Sequence, residues 1–206
     1  MNTKERIWKE SLQLFSKYGY EGVSVKQIAD AVDIKDSSLY NHYKSKQEIF
    51  DTILKEVSIL MKEASNKYTF PQSDDVGKRY IKVDKTVLSD MCFNLFDFYL
   101  NDKIVSSFRR MLIIEQYTNS DASKLFHEIF IDGALKYEAN VFKTLIENNS
   151  MKAIDSEILA LQFYSPLFLL LFKFDSANCD KQYLRELIDK HVEIFSSNYA
   201  VESETK

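Results

Sequence analysis

With 206 residues, 45% of them hydrophobic and 28% charged, the chain has the make-up of a soluble protein of one or two domains with a sizeable core. Four glycines and two prolines are too few for the turns that sheets require, so the expected fold class is all-α. The net charge of −4 does not exclude a polyanionic partner, because residues 1–50 carry eight Lys/Arg against seven Asp/Glu and a local patch outweighs the sum.

The opening MNTKERIWKESL has no apolar run of signal-peptide length. Ile7, Trp8, Leu12, Leu14, Phe15 and Tyr18 recur at helical spacing, which predicts a first helix capped by Thr3 and stopped at Gly19. Ser24 then caps a short helix from Val25 to about Val32, with Ile28, Ala29 and Val32 facing inward. DIKD breaks it, and Asp36 or Ser37 starts a third helix ending near Tyr43. A fourth runs over about 46–67, with Ile49, Phe50, Ile53, Leu54, Val57, Leu60 and Met61 inward. Residues 68–79, with Pro71 and Gly77, read as a loop. Five more helices follow over about 80–100, 102–117, 122–148, 156–174 and 180–198. Ser120 or Asp121, Asp155 and Asp180 open the last three, and VESETK is a frayed tail. The reading is of about nine helices: a three-helix head over 1–46, with a helix-turn-helix at about 25–44, and a larger helical body over 47–206.

The third helix spans roughly 10 Å at 1.5 Å per residue and fits a major groove about 12 Å wide. Leu39 and Tyr43, four apart, can pack inward. Ser37, Ser38, Tyr40 and Asn41 point elsewhere and offer hydroxyls, a phenol and an amide to base edges and phosphate oxygens. Lys35, Lys44 and Lys46 stand against Asp36 alone in this stretch. Lys46 at the start of the fourth helix, and Ser24 with Lys26 at the start of the second, have the form of phosphate clamps.

The segment GYEGVSVKQIADAVDIKDSSLYNHYKSKQEIF resembles the amino-terminal domain of the TetR family of transcriptional regulators. The resemblance rests on Phe15 with Gly19, Ile28 and Ala29, Leu39 and Tyr40, His42 and Tyr43, and Lys46 with Ile49 and Phe50. It implies a homodimeric repressor whose third helix reads an operator in double-stranded DNA and whose fourth links the head to a ligand-binding body. By position it makes Ser37, Ser38, Tyr40 and Asn41 base- or phosphate-facing, and sets His42, Lys44 and Lys46 on the backbone. The chain departs from the family pattern at Asp33, where glycine is common in the turn, and at Lys35, where Ser or Thr commonly heads the third helix.

The body is rich in large residues. Phe96, Tyr99, Phe108, Met111, Glu115, Phe130, Tyr137, Tyr164 and Phe168 are candidates to line a cavity for a small apolar or aromatic effector, with Glu115 facing any cationic group; filling a bundle core is their alternative role. Cys92 and Cys179 match no metal or redox spacing and read as reduced, buried thiols of a cytoplasmic protein. His127 and His191 stand singly, so no metal or cofactor is expected. No P-loop, dinucleotide loop or nucleophile elbow occurs, which argues against an enzyme. LALQFYSPLFLLLFKF (159–174) reads as a buried helix shorter than a membrane span, kinked or begun at Pro166. With the last helix it can form half of an intermolecular four-helix bundle, so a homodimer through the last two helices is expected. A ligand-gated repressor follows; a helical protein-interaction module is the alternative, and an enzyme using the body cavity a weaker one.

Overall fold

The computed structural model describes residues 2–70, 73, 75–175 and 180–201. Pro71, Cys179 and the tail from Glu202 onward, each the subject of an expectation above, lie outside them. Among the described residues the protein is all-α, with eleven helices. They are α1 Thr3–Tyr18, α2 Val25–Ala31, α3 Asp36–Leu39, α4 Lys46–Tyr68, α5 Val76–Tyr80 and α6 Lys85–Asn101. The others are α7 Lys103–Glu115, α8 Ser120–Phe130, α9 Asp132–Glu147, α10 Ser156–Lys173 and α11 Lys181–Tyr199. Paired extended backbone is confined, among the described residues, to a bridge between Met151 and Ala200.

The helix count exceeds the expected nine for two local reasons. Helix α5 forms inside the expected 68–79 loop, and the following helix starts only at Lys85, because the Asp84 carboxylate caps it by accepting the Val87 N–H at 2.9 Å. The expected 122–148 helix divides at Ile131, whose backbone leaves the helical region (φ −123°, ψ −85°). Gly133 permits the break: a Cβ there would lie 1.8 Å from the Glu128 carbonyl oxygen. Two caps also fall one residue earlier than expected. Asn2, not Thr3, accepts the Glu5 N–H at 2.8 Å, and Asn119 accepts the N–H groups of Asp121 and Ala122. Asp155 and Asp180 cap α10 and α11 as expected.

The chain divides into two compact units, residues 1–63 with 101–127 and residues 64–100 with 128–206. The first takes in more chain than the expected head, because α7 packs along α1 and Gln13 Nε2 donates to Ser107 Oγ at 2.9 Å. Its core holds Ile7, Leu12, Phe15, Ile28, Leu39, Tyr43, Ile49, Phe50, Phe108, Met111 and Leu112. The rings of Phe15, Tyr20 and Phe50 meet at 5.2–5.9 Å. Tyr18 and Leu60, expected inward, are exposed.

In the second unit α9 packs between α5 and α10. The approach of α5 demands Gly77, since a Cβ there would sit 2.3 Å from Thr144 Cβ. Rings of Phe142, Phe163 and Phe195 join α9, α10 and α11. Arg185 of α11 reaches Asp90 of α6 and Asp189 at 2.7 Å each. Helix α10 runs on through Pro166. It is not buried on most sides: Leu159, Phe163, Leu167 and Leu171 are covered, while Ile158, Leu161, Leu169 and Phe172 are exposed. Its 18 residues also reach the length and hydropathy of a membrane span, contrary to the sequence reading. Its covered face instead packs on α9 and α11.

Candidate nucleic-acid interface and body site

The turn between α2 and α3 is built on Asp33, which takes a left-handed conformation with φ 54°. That is the glycine-like geometry a short polar side chain tolerates. Asp33 donates its N–H to Asp30 O and Ile34 donates to Ala29 O, which closes the end of α2, and the Arg6 guanidinium adds a bond to Val32 O at 2.7 Å. Ser24 opens α2 with a full capping box, its side chain and backbone paired with Gln27. Lys35 occupies the cap position of α3 without a side-chain bond, and Asp36 lies in the first turn, where its charge complements the helix dipole.

Helix α3 is shorter than the sequence suggested. It closes at Leu39, about 6 Å at 1.5 Å per residue, because the Leu39 carbonyl takes the N–H groups of both His42 and Tyr43 and tightens the chain into a turn. Leu39 and Tyr43 are buried as expected, and the Tyr43 hydroxyl donates to Lys4 O at 3.1 Å. Burial pushes the Tyr43 phenol up to about 12, so it stays a neutral donor.

The opposite side is a continuous polar surface. Lys26, Lys35, Ser37, Tyr40, Asn41 and Lys44 are exposed, and Ser38 and His42 are partly so. None of these eight side chains holds a hydrogen bond or ion pair among the described residues. Two other expected contact residues are engaged elsewhere. The Ser24 hydroxyl is held by Gln27. The Lys46 ammonium donates to Tyr20 O at 2.8 Å and Val23 O at 3.0 Å, and lies 4.0 Å from the Tyr20 ring centre. Lys46 therefore ties the α1–α2 turn to α4. At the start of α4, where a phosphate clamp is expected, Glu48 Oε2 accepts the Lys44 N–H at 2.6 Å, which sets a carboxylate beside the helix end.

The nine expected effector residues separate between the two units. Phe108, Met111 and Glu115 belong to the first. Phe108 and Met111 are fully buried core. Glu115 accepts the Tyr20 N–H at 2.7 Å and the Thr118 hydroxyl at 3.2 Å, so its carboxylate is a structural acceptor rather than a ligand group. The other six fall in the second unit. Tyr99 meets Phe96 and Phe130, Tyr164 meets Phe168, and the Tyr164 hydroxyl donates to Phe130 O at 2.8 Å. Tyr137 donates to Phe70 O at 2.8 Å and pairs with the Tyr80 hydroxyl at 2.9 Å. His191 Nε2 is bonded to Phe163 O at 2.7 Å, and burial lowers its pKa.

The sequence reading missed Glu138, the carboxylate of this cluster. Its charge is felt at Tyr80, Cys92, Tyr137 and Tyr164, and burial raises its own pKa to about 7. A signal was present. Ile131, Ala134, Leu135, Val141, Phe142 and Leu145 stand three, four and seven residues away, so Glu138 is an acidic group centred on an apolar helix stripe.

These features define an all-helical protein whose amino-terminal helix-turn-helix offers a free polar face. Residues 7–53 match the model of the bacterial regulatory proteins of the tetR family. The IcaR negative transcriptional regulator of the biofilm operon icaADBC from Staphylococcus epidermidis is 31% identical over 93 residues, which are 39% of this chain and 50% of that protein. The chain thus spans about half the length of the curated relatives it matches. Among solved structures, the SmeT–triclosan complex superposes with a TM-score of 0.66 at 14% identity, over 98% of this chain and 93% of that one. A transcriptional regulator from Saccharomonospora viridis in complex with choline superposes with a TM-score of 0.64 at 16% identity, over 97% and 98% of the two chains. Residues 7–53 thus resemble the amino-terminal domain of the TetR family, and the chain as a whole has the fold of the solved TetR-family regulators it superposes on.

Proposed function

We propose that the protein is a cytoplasmic, homodimeric, ligand-responsive repressor that binds operator DNA through residues 1–46 and receives a small effector in its body, residues 47–206. One observation carries this reading: a row of exposed, uncommitted donors and cations from Lys35 to Lys44 stands on buried Leu39 and Tyr43. Ser37, Ser38, Tyr40 and Asn41 are the groups for base edges and sugar-phosphate, and Lys26, Lys35, His42 and Lys44 the groups for phosphate. Two copies are needed to engage half-sites about 34 Å apart. The unpartnered apolar faces of α10 and α11 supply the mating surface. The relatives support the same reading: IcaR is a negative transcriptional regulator, and two structural neighbours are complexes with triclosan and choline.

Gating acts through α4, which carries the chain from the first unit into the second. An effector that prefers the form unable to reach both half-sites shifts the population toward it by its differential affinity. The test is retention of a duplex from the protein's own promoter region under a salt titration. Steep loss with rising salt is expected for phosphate binding; no retention at low ionic strength overturns the proposal.

A further inference from the structure

We infer that Lys4, in the first turn of α1, is a phosphate contact of the DNA complex, so that the nucleic-acid surface extends beyond the helix-turn-helix onto a third element of the head. The inference rests on the DNA-binding reading above and deepens it, since that reading draws its contact groups only from residues 26–44.

Lys4 is tied to the turn after α3 at both of its ends. Its backbone carbonyl accepts the Tyr43 hydroxyl at 3.1 Å, and its ammonium lies 5.0 Å from the centre of the same ring. Tyr43 is itself fixed, since it is buried and its N–H donates to the Leu39 carbonyl. The ring is thus the platform on which Lys4 stands, and its neighbours in the chain are His42 and Lys44, two groups assigned above to phosphate. The first turn of α1 is held as well. Asn2 caps it by accepting the Glu5 N–H at 2.8 Å, and Ile7 and Trp8, one turn further on, are buried.

The ammonium is held without being neutralised. Lys4 is exposed, and its side chain has no hydrogen bond or ion pair among the described residues. The next carboxylate in the chain, that of Glu5, is taken by Lys9 at 2.7 Å. Lys46 makes the contrast: its ammonium also lies over a ring, but the carbonyls of Tyr20 and Val23 satisfy it. An aromatic face attracts a cation yet leaves its charge uncompensated and its donors available to an oxygen. It also restricts a long stem whose rotamer freedom a phosphate contact otherwise has to remove. Because Lys4 stands on α1, outside the helix that enters the groove, its contact is with the sugar-phosphate and carries no sequence information.

The test uses the purified full chain, a duplex from its own promoter region and a duplex of unrelated sequence, with binding measured over a series of salt concentrations. Lys4→Gln should weaken both duplexes by a common factor, roughly fivefold to tenfold for each head engaged at about 0.1 M salt, and flatten the salt dependence by about one for each head. Lys4→Arg keeps a cation over the Tyr43 ring and should keep the wild-type salt dependence. Urea denaturation of the same proteins identifies a merely structural lysine. A Lys4→Gln protein that is less stable but has an unchanged salt slope overturns the inference. So does a loss confined to one of the two duplexes, or a Lys4→Arg protein as weak as Lys4→Gln. The wild type separates the two readings. Failure of the wild-type chain to retain either duplex at low ionic strength sinks the DNA-binding reading and the inference with it. Retention by the wild type with equal affinity and salt slope in Lys4→Gln sinks the inference alone.

Discussion

The carboxylate of Glu115 on α7 accepts the backbone N–H of Tyr20, ninety-five residues earlier, at 2.7 Å. Tyr20 follows Gly19, whose φ of 73° turns the chain out of α1, and a Cβ at Gly19 would sit 3.3 Å from the same carboxylate oxygen. The turn that leads into α2 is thus held by a charge-assisted bond from α7. Glu115→Ala leaves a desolvated amide without its acceptor, which is expected to cost about 1–3 kcal/mol. Glu115→Gln keeps an acceptor and should lose less. Urea denaturation of the three proteins measures the difference, and equal stability of Glu115→Ala and the wild type would remove the strut.

The lysines of the head should separate by role. Lys46→Ala removes two bonds to the carbonyls of Tyr20 and Val23 and is expected to lower stability by about 1–3 kcal/mol. Lys44 has an exposed side chain with no partner among the described residues. Lys44→Ala should leave stability within about 0.5 kcal/mol, weaken all duplexes alike and reduce the salt slope by about one. Asn41→Ala should change the ranking of duplex sequences instead. Denaturation curves paired with binding at two salt concentrations decide the matter; a Lys46→Ala protein of unchanged stability but uniformly weakened DNA binding would return Lys46 to the phosphates.

What the sequence disclosed follows the range of the interactions involved. Local ones were legible: the helix-turn-helix spacing, the Ser24, Asp155 and Asp180 caps, and the tolerance of Asp33 for a left-handed turn, seen at φ 54°. Burial of Leu39 and Tyr43 followed from their four-residue spacing. Long-range partners were not legible. Nothing near Glu115 or Lys46 in the chain announces Tyr20, so by sequence one points to a ligand and the other to phosphate. Helix α5 escaped because five residues around Gly77 are too few for periodicity, and its place depends on the close approach to Thr144. Glu138 is hidden for a different reason: its apolar stripe announces what the helix buries rather than the single charge within it.

Glu138 also sets a pH dependence that needs no ligand. Its carboxyl titrates near 4.5 in the unfolded chain and at about 7 in the folded one. Between these values the folded state holds more proton, so stability falls as pH rises from 4.5 to 7 and stays reduced above. The other groups that feel this charge, Tyr80, Cys92, Tyr137 and Tyr164, are all raised by burial and remain neutral through the window. Glu138→Gln should therefore match the wild type at pH 4 and exceed it at pH 8, by about 1–3 kcal/mol given 1.36 kcal/mol per unit and partial access to water. Thermal unfolding at the two pH values reads this directly. A Glu138→Gln protein less stable than wild type at pH 8 would mean that the carboxylate has a partner.

The last two helices provide a test of assembly. On α10, Ile158, Leu161, Leu169 and Phe172 recur at three-, eight- and three-residue steps and are exposed, Leu169 at 63%. On α11, Tyr183 and Ile194 are exposed, the latter at 62%, with Leu187 between them on the same stripe. Lone surface leucines need no explanation, but two adjoining stripes of large apolar side chains on neighbouring helices form a patch of the kind that marks an interface. Leu169→Glu puts a charge at the middle of the α10 stripe without touching the residues α10 buries. It should leave helicity and urea stability of the isolated chain unchanged and convert the sedimenting species from dimer to monomer at micromolar concentration. Operator affinity should then fall steeply, because a single head engages one half-site. A Leu169→Glu protein that still sediments as a dimer would place the mating surface elsewhere, since a buried unpaired carboxylate at a two-fold contact is introduced twice and costs several kcal/mol on each side.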